Sequence, residues 1–358
     1  MDIKYVFIHG TAGWGSYDER YKKMPYWGMR GGDLISFLNE NGFDSYAASV
    51  SPFGSAWDRA CELYAQIFGI KVDYGECHSK KYGHDRFGKD YSEYPLVRDL
   101  NYSTRLVLIG HSFGGTTARM LAELMANGDE EEREATRQGD ISPLFLGHMG
   151  HRIHAVVAVA TALNGNSVFD MLADPSFDLK SVKVPWWSRY FGKRMSDSLQ
   201  TNHDGWDLKD CADYDMQIDQ ALLLNQRMHT LPFVYYFSVP CGFSKKSGDR
   251  YIPEKGMEPF FVMRSYQIGQ YTGVTKGGTD IDQSWGMNDG RVSTVSETSP
   301  FRAPAKQLDT DHPEPGIWNV YPVFKGDHMS LQGGLLHKRD VRSFYIDMLT
   351  MIDTTVEK

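Results

Sequence analysis

Short, almost uniformly apolar runs closed by glycine or a turn recur along this chain, separated by longer stretches in which apolar residues return at helical spacing. Tyr5-Val6-Phe7-Ile8-His9-Gly10 is the first run and Arg105 to Gly110 another; His154 to Ala160 and Pro232 to Val239 follow. Runs this apolar predict strands covered on both faces, as in a parallel sheet. Thr116 to Asn127 carries helical spacing with Gly128 as its stop, and Val341 to Met351 predicts a closing helix. The alternation predicts an α/β fold with a mostly parallel central sheet flanked by helices. Asn166 to Asp207 breaks the pattern with polar and aromatic residues and is expected to form a cap. Within it, Trp186 and Trp187 are expected to pack against the body in preference to facing lipid. The acidic run Asp129 to Glu134 is expected to be a solvated face without a function. No repeat or low-complexity linker divides the chain, so one domain over residues 1–358 is expected, with insertions at 55–90 and 166–215.

Composition narrows the function classes. With 358 residues, a net charge of −8 and no basic run, the chain lacks the footprint that a phosphate backbone requires, and nucleic acid is excluded as a partner. No apolar run is long enough to cross a bilayer. Met1-Asp2-Ile3-Lys4 leads straight into a strand without the features of an export signal, which predicts a cytoplasmic protein, or a secreted one if a leader precedes this sequence. Four scattered cysteines, Cys61, Cys77, Cys211 and Cys241, are expected to be reduced.

The chemistry is concentrated at Gly110-His111-Ser112-Phe113-Gly114, a Gly-x-Ser-x-Gly pattern set between a strand and a helix. That context predicts a sharp turn projecting Ser112 above the sheet, where side chains at Gly110 and Gly114 would collide with neighbouring elements. A serine nucleophile needs a base, and the base needs a carboxylate to fix its tautomer. The chain order Ser, acid, His restricts the base to His312, His328 or His337, of which His328 follows the apolar run Val320 to Phe324 in a glycine-bearing turn. Asp289, in the turn Asn288-Asp289-Gly290, is the candidate acid and Asp282 its rival. The backbone N–H groups of Thr11 and Phe113 are the candidate oxyanion donors. Separately, Asp58, His78 and His84 combine residue types that suit a borderline cation such as zinc.

The chain resembles the zinc-containing bacterial lipases of thermophilic bacilli, relatives of the staphylococcal lipases. The likeness rests on His9-Gly10-Thr11-Ala12-Gly13-Trp14-Gly15, Tyr26-Trp27-Gly28, Trp57-Asp58-Arg59-Ala60, Gly83-His84-Asp85-Arg86-Phe87-Gly88, the serine turn, Ser142-Pro143-Leu144-Phe145, Tyr214-Asp215, Asn288-Asp289-Gly290 and Asp327-His328. It implies an α/β-hydrolase that cleaves carboxylic esters or lipids through Ser112, Asp289 and His328. It also implies a structural zinc held by Asp58, His78, His84 and Asp215. The departures lie around the substrate. The cap between Thr161 and Asp215 is shorter than in the family, Phe113 stands where the family has glutamine, and Thr11 replaces an aromatic residue. Gly256 matches a position of the family's calcium site, but Ser330 and Leu335 stand at its acidic positions, so calcium is not expected. Two other readings stay open at this point: a metal-centred hydrolase using the Asp/His cluster, and a non-catalytic lipid- or ester-binding protein on the same scaffold.

Overall fold

The computed structural model describes residues 2–199 and 207–355; residues 200–206, inside the expected cap, lie outside the described part. Seven strands form the central sheet: β1 (Asp2–Ile8), β2 (Ser45–Ala48), β3 (Thr104–His111), β4 (Ile153–Val159), β5 (Tyr235–Val239), β6 (Ala305–Gln307) and β7 (Trp318–Val320). All pairings between them are parallel, in the order β6-β7-β5-β4-β3-β1-β2. This is the α/β-hydrolase arrangement, and the four runs read as buried strands became β1, β3, β4 and β5. The apolar run Val320 to Phe324 divides between two strands, with β7 ending at Val320 and a separate short strand at Phe324–Lys325.

The apolar runs are uniform because helices cover both faces. Along β1, Val6 and Ile8 enter one core and Tyr5 and Phe7 the other; Leu106 and Leu108 divide from Val107 and Ile109 in the same way along β3. Helices α1 (Ala56–Phe68) and α3 (Phe113–Asn127) close the first core. The closing helix, α7 (Arg342–Thr354), closes the second through Tyr345, Met348, Leu349 and Ile352. Around this frame lie α2 (Glu76–Tyr82), α4 (Glu130–Ala135), α5 (Trp186–Leu199) and α6 (Pro259–Ile268). The expectation for the tryptophans fails at Trp186, which is 83% exposed on α5; Trp187 is 37% exposed. None of the four cysteines is paired, and among the described residues no helix is long and apolar enough to cross a membrane.

Burial also sets the acid stability. It pulls His154, whose Nε2 lies 2.7 Å from Thr355 Oγ1, down to about 4, and His9 to about 3. Both histidines are neutral in the fold and charge more readily once unfolded, at about 6.5. Their contribution is therefore complete above that value and is lost as the pH falls toward the folded values. We expect Tm to fall between about pH 7 and about pH 4.5, and His154→Gln to flatten part of that fall, as read by thermal scans across pH.

Candidate active site and metal cluster

Ser112 sits between β3 and α3 at φ 53°, ψ −129°. That strained backbone is held because the neighbours leave no alternative path. A Cβ on Gly110 would lie 2.2 Å from the backbone of Gly114, and one on Gly114 would lie 2.2 Å from the carbonyl of Ile8 on β1. Ser112 Oγ lies 3.0 Å from Nε2 of His328, and His328 Nδ1 lies 2.5 Å from Asp289 Oδ2. The other Asp289 oxygen accepts the N–H groups of Arg291 and Val292 at 2.8 and 2.7 Å, so the carboxylate is oriented by its own turn. The His328 backbone N–H bonds the Asp289 carbonyl at 3.0 Å, joining the two loops directly. The rivals lie elsewhere: His312 faces Asp309 on the surface, His337 faces Glu258, and Asp282 caps Ser284.

A second chain of polar groups supports the site. The Gly10 N–H bonds Tyr26 Oη at 3.1 Å, Tyr26 Oη lies 2.6 Å from His111 Nδ1, and His111 Nε2 lies 2.9 Å from the carbonyl of His328. A carbonyl only accepts, so His111 carries its proton on Nε2 and receives the Tyr26 hydroxyl at Nδ1. Burial keeps His111 neutral, far below the usual histidine range. The loop bearing Thr11 is thereby tied to the loop bearing His328. Arg59, fully buried, reinforces the first loop by donating to the His9 carbonyl. Thr11 lines the cavity above Ser112, and Phe113 opens α3 directly behind it.

Glu297, fully buried, adds a carboxyl beside Asp289 and His328. Its Oε2 accepts the Cys241 N–H at 2.6 Å. Burial and the neighbouring Asp289 charge push its pKa far above the carboxylate range, and its other oxygen, Oε1, is buried. Glu258 holds the stretch that follows His328, its Oε1 accepting the N–H groups of Leu335, Leu336 and His337 at 2.9, 2.8 and 2.9 Å. Ser330 Oγ donates to Asp327.

At the metal cluster the structure brings together Asp58, His78, His84 and Asp210. His78 Nε2 lies 3.1 Å from Asp58 Oδ1 and 3.3 Å from Asp210 Oδ1; His84 Nε2 lies 3.3 Å from Asp210 Oδ2 and 3.9 Å from Asp58 Oδ1. Asp58 Oδ1, His78 Nε2, His84 Nε2 and Asp210 Oδ1 are buried without hydrogen-bond partners and converge on one point. Ligands at roughly 2.1 Å around a tetrahedral ion stand about 3.4 Å apart, which matches these separations. The donor set therefore fits a cation. The fourth member corrects the sequence reading. Asp215 is not in the cluster, because its carboxylate accepts the Ala56 N–H at the start of α1 at 2.7 Å and burial pushes its pKa to about 7. Asp210 lies five residues earlier, a spacing that local sequence does not flag. The acidic run, too, does more than face solvent. Glu132 on α4 is buried, and its carboxylate accepts the N–H groups of Cys77 and His78 at 3.0 and 2.7 Å, fixing the start of the helix that carries His78.

With this geometry in hand, comparison with known proteins gives consistent results. Residues 2–198 match the family model described as the C-terminal domain of lipase-like proteins. Lipase 1 of Staphylococcus aureus is 32% identical over 355 residues, covering 92% of this chain and 50% of that protein. The Staphylococcus epidermidis lipase is 30% identical over 352 residues, covering 92% and 49%. The chain thus spans about half the length of these curated relatives. Among solved structures, EstA from Clostridium botulinum superposes with a TM-score of 0.83 at 31% identity, covering 98% of this chain and 87% of that one. The Staphylococcus hyicus lipase gives 0.81 at 26% identity, covering 99% and 97%.

Proposed function

This chain belongs to the lipase family whose C-terminal-domain model it matches, and from that premise we propose that it hydrolyses carboxylic esters by transferring the acyl group to Ser112, with His328 as base and Asp289 as the acid that orients it. The observation that carries this reading is the continuous contact from Ser112 Oγ through His328 to Asp289, at 3.0 and 2.5 Å. His328 Nε2 takes the hydroxyl proton as Oγ attacks the ester carbonyl, and Asp289 stabilises the imidazolium that forms. The N–H groups of Thr11 and Phe113 receive the oxyanion. The imidazolium then protonates the departing alcohol, and a water activated by the same imidazole releases the acid. Turnover by the purified chain of p-nitrophenyl esters from acetate to palmitate, with emulsified tributyrin and triolein, tests the reading. Turnover that favours long chains and emulsions marks a lipase, turnover of short soluble esters alone marks an esterase, and turnover of none contradicts it.

We infer that Glu297, buried beside Asp289 and His328, is protonated and donates to Asp289. Glutamine at that position would keep such a donor, whereas leucine removes it and strands the Cys241 N–H. We expect Glu297→Gln to stay within a few-fold of wild type and Glu297→Leu to lose roughly tenfold or more in kcat/KM, measured on one soluble ester.

We further infer that Asp58, His78, His84 and Asp210 hold zinc. Four protein ligands fill a tetrahedral shell and leave no position for substrate, so the ion ties the 55–90 insertion to the 166–215 insertion on one domain spanning 1–358 and takes no part in the chemistry. An ion bound at a thousandfold over its Kd adds about 4 kcal/mol. Chelation is expected to lower Tm by on the order of 10 °C, with zinc restoring it and with turnover retained below the new transition. Loss of turnover at an intact fold would instead make the cluster catalytic. No calcium enters this account: Ser330 and Leu335 provide no carboxylate, and Glu258 anchors the loop that follows His328.

A further inference from the structure

The cavity above Ser112 measures about 560 Å3 and is walled on one side by apolar side chains, among them Met29, Phe191, Phe260, Phe261 and Leu335. An acyl chain needs nothing more. Yet the same cavity is also lined by two arginines, Arg20 and Arg291, and a third stands close behind. Arg264 lies on α6, four residues after Phe260 and three after Phe261, hence on the same face of the helix as these two cavity-lining rings.

None of the three is held by an ion pair among the described residues, although Arg20 rests on a ring. Among the described residues no carboxylate lies within ion-pair distance of Arg20, Arg264 or Arg291, and none of their guanidinium N–H groups has a protein acceptor. Arg291 uses only its backbone N–H, which it gives to Asp289. The Asp289 and Asp213 charges act on Arg291 against its burial, but the Asp289 oxygens already accept from two backbone N–H groups and face His328. Arg20 lies flat over Trp14, 3.5 Å from the ring centroid. Burial lowers the pKa of Arg264 to about 10, and the Arg291 charge acts in the same direction. Arg20 is exposed, whereas Arg264 and Arg291 are half-buried, and a partly desolvated cation without an ion pair has given up hydration that an anion can replace. Arg20 and Arg291 border the space that receives substrate. A guanidinium fork is also the donor best matched to a carboxylate or phosphate.

We propose that Arg291, with Arg20 and Arg264, forms an anion subsite, and that the preferred ester carries a phosphate or carboxylate a few atoms from the bond that Ser112 attacks. This deepens, and rests on, the ester-hydrolase reading. The apolar wall takes the hydrocarbon part of such a molecule while the arginines take its charge. A phosphate reaches the site on the alcohol side of the ester, as in a glycerophospholipid, and a carboxylate on the acyl side, as in the half-ester of a dicarboxylic acid.

Two matched pairs separate these sources. One compares dihexanoylphosphatidylglycerol with dihexanoylglycerol, and the other mono-p-nitrophenyl glutarate with p-nitrophenyl butyrate, each read as the ratio of kcat/KM for the anionic ester to that for the neutral one. In at least one pair the wild-type ratio is expected to reach about tenfold and to fall at high salt. Arg291→Met should bring it close to unity and Arg291→Lys should keep part of it. The ratio cancels any general loss of activity in the variants. Neutral esters turned over with both ratios at or below unity, or a ratio that survives Arg291→Met, would overturn the subsite while leaving the hydrolase reading intact. Turnover of no ester would overturn the reading beneath it.

Discussion

Replacing Ser112 with alanine is expected to lower kcat for a p-nitrophenyl ester by on the order of a millionfold, as loss of a serine nucleophile does where serine and histidine act as a unit. The magnitude follows from geometry. In the proposed reaction Oγ forms the acyl bond, and at 3.0 Å from Nε2 it is placed to release its proton to His328. The proposed oxyanion donors are backbone groups, so the substitution leaves them in place and some rate above water is expected to persist. The fold should hardly notice. The Ser112 side chain makes no capping bond to α3, and its φ of 53° is imposed by the strand, helix and glycines around it whichever residue stands there. We expect Tm to stay within about 3 °C, the small effect of losing one hydroxyl.

Asp289→Asn is expected to cost on the order of ten-thousandfold in kcat, the loss that follows when the orienting carboxylate becomes an amide. It should also lower Tm, which distinguishes it from the serine variant. Three donors converge on this carboxylate, His328 Nδ1 and the N–H groups of Arg291 and Val292, beside the buried carboxyl of Glu297. An amide keeps one acceptor oxygen and turns two hydrogens of its own toward donors, so at least one buried bond is lost with no water to replace it. Steady-state kinetics together with thermal unfolding check both halves of the expectation.

The sheet was legible because its central strands are buried on both faces: continuous apolar runs such as Tyr5 to Ile8 have no exposed side to interrupt them. The serine turn was legible because its glycines answer a local steric demand, measured as the 2.2 Å approaches at Gly110 and Gly114. What could not be read are roles set by tertiary neighbours. The resemblance points to Asp215 and nothing in the local sequence flags Asp210, and only the placement of Ala56 at the start of α1 shows that the Asp215 carboxylate is already occupied. Glu132 sits in an acidic run that local reading assigns to solvent, yet the start of α2 docks onto it. Glu297 and Arg291 lie within eight residues of Asp289 without matching any motif, and their significance comes from a buried carboxyl contact and an unpaired guanidinium. The exposure of Trp186 depends on how the short cap lies across the body, which helical spacing does not specify.

Covalent trapping identifies the residue that carries the acyl group. The chain is treated with a limiting fluorophosphonate, residual ester hydrolysis is followed, and the modified peptide is identified by mass spectrometry. One phosphonyl group per chain is expected, carried on Ser112, with hydrolysis falling in proportion to labelling and no labelling of Ser112→Ala. Hydrolysis that persists in fully labelled protein, or a label on another residue that tracks the loss of activity, would contradict the role of Ser112.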